Sequence, residues 1–180
     1  MSRVSPLSDD ELDDAAKPAF ESFVSEGRDP IALYRVLANA PAFLDGFHQV
    51  GAAIRYRSEL DRALVELVIL RISALTQSRY EWNHHHGMAL RAGVDRAKID
   101  AVGEWAAAPA SYTEPERAAL LAADAVHEIA MTDATFDGLL AHFTTRQATE
   151  IVALAAHYEG VARVLQALDV DIEAEYTILD

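Results

Sequence analysis

The chain of 180 residues contains no cysteine. That absence removes disulfides, thiolate nucleophiles, thiolate-held metal clusters and any dithiol redox couple that the chain could supply itself. Positive charge is scarce too: fifteen Lys and Arg face twenty-nine Asp and Glu, for a formal net charge of -14. Such a field repels phosphate backbones and anionic lipid surfaces, so neither nucleic acid nor a membrane is expected as a partner. It also weakly opposes a dianionic small substrate unless local Arg or Lys side chains reverse it inside a pocket. Long hydrophobic runs are missing as well, since no uninterrupted apolar stretch nears the roughly 18–20 residues that cross a bilayer. The opening MSRVSPLSDDELDD has no apolar signal core. A soluble, cytoplasmic protein is the expectation.

Strict period-two runs of Val, Ile and Thr are also lacking, whereas helix signals recur from end to end. The fold class is therefore read as all-α. With 51% apolar residues, the chain can bury one sizeable core, and a single domain over 1–180 is expected. Ser8 with Glu11, Ser78 with Glu81, Thr113 with Glu116, and Thr144 with Gln147 each fit a capping box, which satisfies free N–H donors at a helix start. The pattern predicts helices near 8–26, 31–39, 41–56, 59–76, 78–92, 95–107, 114–130, 133–143 and 145–168, with turns at Gly27 to Pro30, Ala40-Pro41, Gly93 and Pro109 to Thr113.

The segment 59–76, ELDRALVELVILRISALT, is apolar on nearly every side after its first turn, as a central helix is. Glu66 is its exception, because a buried carboxylate needs a partner or a raised pKa. A weak internal repeat aligns DRALVELVIL with TRQATEIVAL, matching Arg62 to Arg146 and Glu66 to Glu150. At i,i+4 spacing each Arg can pair with its Glu on one helix face.

The stretch QSRYEWNHHHGMALRAGV carries three consecutive histidines, His84, His85 and His86. Neighbours on a helix are about 100° apart, so the three fan out and cannot share one metal. Ser78, Glu81 and His85 do share a face. Three readings stay open. In a structural one, Ser78 and Glu81 cap the helix, His84 and His86 are solvated, Tyr80 and Trp82 pack, and His85 bonds Glu81. In a metal-dependent oxidoreductase, Glu81 and His84 form a Glu-x-x-His unit, with Asp124, His127, Glu66 and Glu150 as further ligands. In an acid–base site, Glu66, Glu81 and His85 cooperate, and His85 changes charge near neutral pH.

The same residues resemble the carboxymuconolactone decarboxylase and alkylhydroperoxidase D-like superfamily. Its thiol peroxidase branch carries E-x11-C-x2-C-x3-H, and here Glu66, Ser78, Glu81 and His85 stand in that register with both cysteines replaced. Glu81, His85, Ala89, Gly93 and Val94 look like the decarboxylase branch, and HFTTRQATEIVALAAHYEGVARVLQALDV like the family's C-terminal half. The likeness covers roughly 30–170. It implies a single-domain helical bundle of that fold, forming a homo-oligomer (dimer, trimer or hexamer). It further implies a cofactor-free lyase or isomerase, without metal, acting on a small lactone or activated carboxylate. His85 would be the proton donor or enolate stabiliser, Glu81 its orienting partner and Glu66 a second carboxylate behind them. Ser78, His84 and Trp82 would lie at or around the substrate. Arg79 stands two residues before Glu81, where the decarboxylase branch has a tryptophan; here Trp82 follows instead. Thiol peroxidase activity is not expected without cysteine. Arg35, Arg55, Arg71 and Arg163 are candidates to hold a substrate carboxylate. The alternatives are the metal-dependent oxidoreductase using Glu81 and His84, and a non-enzymatic helical oligomer.

Overall fold

The computed structural model describes residues 2–25, 27 and 29–176, and among these every regular element is helical. The α-helices are α1 (Lys17–Ser25), α2 (Ala32–Leu37), α3 (Pro41–Tyr56), α4 (Arg62–Leu75), α5 (Arg79–Arg91), α6 (Arg96–Ala101), α7 (Glu114–His127), α8 (Asp133–Leu140) and α9 (Thr145–Leu168). Short 3-10 turns lie at Asp9–Glu11, Val102–Ala107, Pro109–Ser111 and Ala174–Tyr176. Position 26, the expected end of the first helix, and position 28 of the turn after it lie outside the described residues.

Two expected helices are broken, each for a physical reason. The span 8–26 becomes a 3-10 turn at Asp9–Glu11 followed by α1. Pro18 has no N–H and its ring would clash with the carbonyl four residues back, so a helix can hold it only in its first turn. Asp13 completes the break, its side chain accepting from the Ala15 N–H at 2.8 Å. The span 95–107 becomes α6 and then the 3-10 turn at Val102–Ala107, with Glu104 off helical geometry at φ -126, ψ 38. There Arg71 Nη1 donates to the carbonyls of Gly103 at 2.6 Å and Val102 at 3.3 Å, an outside donor for carbonyls that a regular helix bonds within itself. The capping boxes of Ser8 with Glu11, Thr113 with Glu116, and Thr144 with Gln147 form reciprocally.

The chain divides into two compact units, residues 1–57 with 165–180, and residues 58–164. In the first, Phe23, Tyr34 and His48 form an aromatic cluster with ring centroids 4.6–6.5 Å apart. The Arg3 N–H, donating to Leu168 O at 2.8 Å, ties the N-terminal segment to the C-terminal one. The second unit is built on α4, which packs against α5, α7 and the turn at Val102–Ala107. Val65, Leu67, Val68, Ile69, Leu70 and Ile72 of α4 are all buried, as its near-continuous apolar surface predicts. At roughly 1.5–3 kcal/mol for each large side chain removed from water, α4 is the main apolar contribution to that unit. Leu67 and Leu70 join Ile99, Val102, Trp105, Tyr112 and Leu120 in one buried cluster.

Gln77, Gly93, Ile129 and Asp169, which follow α4, α5, α7 and α9, have positive φ. At each, the next N–H reaches back to a carbonyl five residues earlier, as in Ala130 N–H to Ala125 O at 2.8 Å. Ile129 is the poorest fit, since a β-branched side chain in the left-handed region is disfavoured and this one is 93% exposed, with no packing to compensate. Ile129→Gly is expected to raise the unfolding free energy by about 1 kcal/mol, read from urea denaturation, with the helical circular dichroism unchanged.

Candidate functional site

The site is set by the joint between α4 and α5. Gln77, at φ 55, turns the chain out of α4, and Ser78 begins α5. The Ser78 N–H donates to Ser73 O at 2.9 Å, and Ser78 Oγ accepts from the Glu81 N–H at 3.4 Å. The capping box expected here is thus half formed. Because Ser73 already takes the Ser78 N–H, the Glu81 carboxylate does not reach back to it and meets His85 one turn on.

Three side chains from two helices meet here. Glu66, fully buried in α4, places Oε2 2.7 Å from His85 Nδ1, while its Oε1 accepts from Arg62 Nη2 one turn earlier. Glu81 Oε2 lies 3.4 Å from His85 Nε2. That second contact is a charge contact without the direction of a hydrogen bond, and it leaves the buried Glu81 Oε2 with no hydrogen-bond donor. His85 therefore stands between two carboxylates. Burial alone would push its pKa down, but the Glu66 hydrogen bond and the close negative charges of Glu66 and Glu81 outweigh burial and raise it to about 9. At neutral pH the ring is an imidazolium.

The sequence-chosen residues separate around this centre. Glu66, Glu81 and His85 come together. Ser78 is the buried cap of α5. Trp82 packs against the buried cluster of the second unit, its ring 6.2 Å from His86. His84, solvated under the structural reading, is instead buried and stacked on Tyr80 at 4.3 Å between centroids. His86 is half-buried; its pKa is lowered by burial and by Arg96, against the pull of Asp100.

The further ligands of the metal reading are committed elsewhere. Asp124 accepts from Arg71 Nε at 2.6 Å and from Trp105 Nε1 at 2.9 Å, and His127 pairs with Glu159. Glu150 accepts from Ser58 Oγ, the Glu59 N–H and Arg146 Nε at 2.8–3.0 Å. Among the described residues no group of three or more His, Asp or Glu is arranged to hold a metal ion. Of the candidate arginines, Arg71 is bound by Asp124, Arg163 reaches Glu159 at 3.2 Å, and Arg35 reaches Asp9 at 2.9 Å. Arg55 lies over the Tyr56 ring.

Two residues of α9 escaped the sequence reading. The Tyr158 ring stands edge-on to His85, 5.2 Å between centroids at 88°, and His157 is edge-on to Tyr158 at 5.5 Å. His157 is lowered by burial, against the charge of Glu81. The only signal for them was position: His157 lies seven residues after Glu150 and eleven after Arg146, on the stripe of the repeat helix that carries both, and Tyr158 is its neighbour.

The profile of the carboxymuconolactone decarboxylase family matches residues 41–125, a span that holds Glu66, Ser78, Glu81 and His85. Among solved structures, the debrominase Bmp8 is similar at 25% identity and TM-score 0.79, over 96% of this chain and 93% of that one. A cysteine-to-alanine variant of that debrominase, in complex with 2,3,4-tribromopyrrole, is similar at 26% identity and TM-score 0.79, over 96% and 92%. A peroxidase-related protein with an alkylhydroperoxidase D core, from Ralstonia eutropha, shares the fold at TM-score 0.83 and 22% identity, over 97% and 94%. No curated protein matches the chain. Among the described residues no helix is long and apolar enough to cross a membrane.

Because folding raises His85 from 6.5 to about 9, the native state holds its proton more tightly than the unfolded chain. The resulting stabilisation is complete below about pH 6.5 and is lost as pH rises through about 9. Urea unfolding between about pH 6 and about pH 10 is expected to show a loss on the order of 3 kcal/mol, and His85→Gln to flatten that dependence.

Proposed function

Because the chain belongs to the carboxymuconolactone decarboxylase and alkylhydroperoxidase D-like superfamily, we propose that it is a thiol-independent acid–base catalyst, a cofactor-free lyase or isomerase acting on a small unsaturated lactone or related activated carboxylate. The observation that carries this reading is the His85 ring set between two carboxylates, Glu66 2.7 Å from Nδ1 and Glu81 3.4 Å from Nε2. The debrominase, in its complex with 2,3,4-tribromopyrrole, offers a precedent for a small unsaturated ring as ligand. A thiol route on such a ring is closed to the residues of this chain, which has no cysteine.

The distances support exchanging the roles expected of the two carboxylates. Glu66 is the short, fully buried partner, itself anchored by Arg62, and so suits the orienting role. Glu81 sits on the other nitrogen with an oxygen that lacks a donor, and so suits the substrate-facing role. His85 is then the proton reservoir between them. In a decarboxylation the bond to the carboxylate carbon breaks, CO2 leaves, and the electron pair runs through the conjugated double bond onto the lactone carbonyl oxygen. A proton from His85, passed through Glu81, then goes to carbon as the carbonyl re-forms. Arg62 Nη1 is buried beside the pair with no hydrogen-bond partner, which favours it over Arg35, Arg71 and Arg163, each held by a carboxylate, for holding a substrate oxygen.

Turnover of an unsaturated five-membered lactone bearing a carboxylate, followed by CO2 release and loss of ultraviolet absorbance, tests this. His85→Gln and Glu81→Gln are each expected to lower kcat by about 10²–10⁴-fold while the chain stays folded. A folded His85→Gln variant with wild-type kcat would sink the reading.

A further inference from the structure

His157 lies on α9, beside a site whose carboxylates and other imidazole come from α4 and α5. Tyr158 stands edge-on to both histidines, its ring 5.5 Å from His157 and 5.2 Å from His85. Glu81 addresses both rings: its Oε2 is 3.4 Å from His85 Nε2, and its charge acts on His157. That same oxygen is buried without a hydrogen-bond donor, so the group shared by the two histidines is also the one with an acceptor to spare. The ionisable groups of the centre are Arg62 and Glu66 on α4, Glu81 and His85 on α5, and His157 and Tyr158 on α9.

We propose that His157 is a second acid–base residue of this site, which lets the chain take a proton from one carbon of an enolisable lactone and return one to another. The inference rests on the proposed function and narrows it, from lyase or isomerase to double-bond isomerisation. Neutral His157 accepts the proton from the carbon next to the carbonyl. The C–H electron pair moves through the conjugated system onto the carbonyl oxygen as a dienolate. Glu81, supplied by His85, delivers a proton to the γ carbon, the carbonyl re-forms and the double bond moves from β,γ to α,β. His157 ends protonated and His85 neutral; solvent or Glu81 exchanges the proton back, and no oxidant or reductant is needed.

The protonation states at neutral pH agree with this division of labour. Burial lowers His157, so its ring is neutral, whereas the carboxylates raise His85 to about 9 against burial, so its ring is charged. Two groups of one kind, pushed apart by their surroundings, form an acid and a base at the same pH.

Two measurements on the full chain decide the matter. In an NMR titration of the imidazole signals, assigned with His157→Gln and His85→Gln, the change Glu81→Gln is expected to lower the midpoints of both histidines, since Glu81 raises both. A His157 midpoint indifferent to Glu81→Gln overturns the inference whatever the activity. In deuterated water, wild-type chain is expected to exchange the α proton of a β,γ-unsaturated five-membered lactone and shift its double bond. His157→Gln should slow exchange by about 10²-fold or more and remove the acidic limb of the pH profile, with KM little changed. Equal exchange and an unchanged profile in a folded His157→Gln overturn the role of His157 alone. A wild-type chain that releases CO2 from the carboxylate-bearing lactone yet neither exchanges nor shifts this one overturns the narrowing, and one inert toward both overturns the function on which it rests.

Discussion

A carboxylate with no exposed surface, in a helix that is apolar on nearly every side, is the constraint on which the second unit depends. An isolated buried carboxylate would cost several kcal/mol, enough to offset much of what a marginally stable domain has. Glu66 avoids that cost with two cations, Arg62 one turn back on α4 and His85 across on α5. The Arg62 pairing is local and needs only helix formation. The His85 pairing is not, and it ties the approach of α5 to the ionisation of a side chain. Packing and protonation are therefore one problem in this region. The repeat helix shows the contrast: Arg146 and Glu150 form the same i,i+4 pair in a half-exposed setting, where Glu150 serves the segment before α4 through Ser58 and the Glu59 N–H.

The same arrangement sets the local charge. The whole chain carries -14, yet Glu66 and Glu81 are balanced at this point by Arg62 and His85⁺. An anion would meet a neutral patch here and not the general field, so the composition is no objection to one. Glu81 also shows what replaces chemistry when cysteine is absent. It occupies the register of the second peroxidase cysteine, and in its place sets a carboxylate oxygen 3.4 Å from the imidazole.

Much of the fold was legible because helices announce themselves through short-range rules. Caps at Thr113 and Thr144, the apolar surface of 62–75 and the Arg62–Glu66 spacing all translate directly into contacts within a few residues. Pro18 also announced its effect, and the expected helix over 8–26 simply overran it. What could not be read required a competitor from elsewhere in the chain. Arg71 draws carbonyls out of the segment after α6, Ser73 takes the N–H that would have completed the Ser78 box, and Tyr80 draws His84 out of solvent. In the site, the i,i+4 spacing of Glu81 and His85 was visible, while the meeting of His85 with Glu66 was suggested by family likeness and by no local rule. His157 and Tyr158 had no signal beyond helix phase, because their relevance exists only once α9 lies beside α5.

The joint at Gln77 carries a consequence for how this chain can vary. Only residues 76–78 separate α4 from α5, and the turn is closed by the Ser78 N–H on Ser73 O. One residue gained or lost there would rotate α5 by about 100° and shift it by about 1.5 Å, carrying His85 off Glu66 and stranding a buried charge. The length of the joint is thereby fixed. Among descendants of such a chain, insertions should therefore accumulate at the other connections and leave this one untouched.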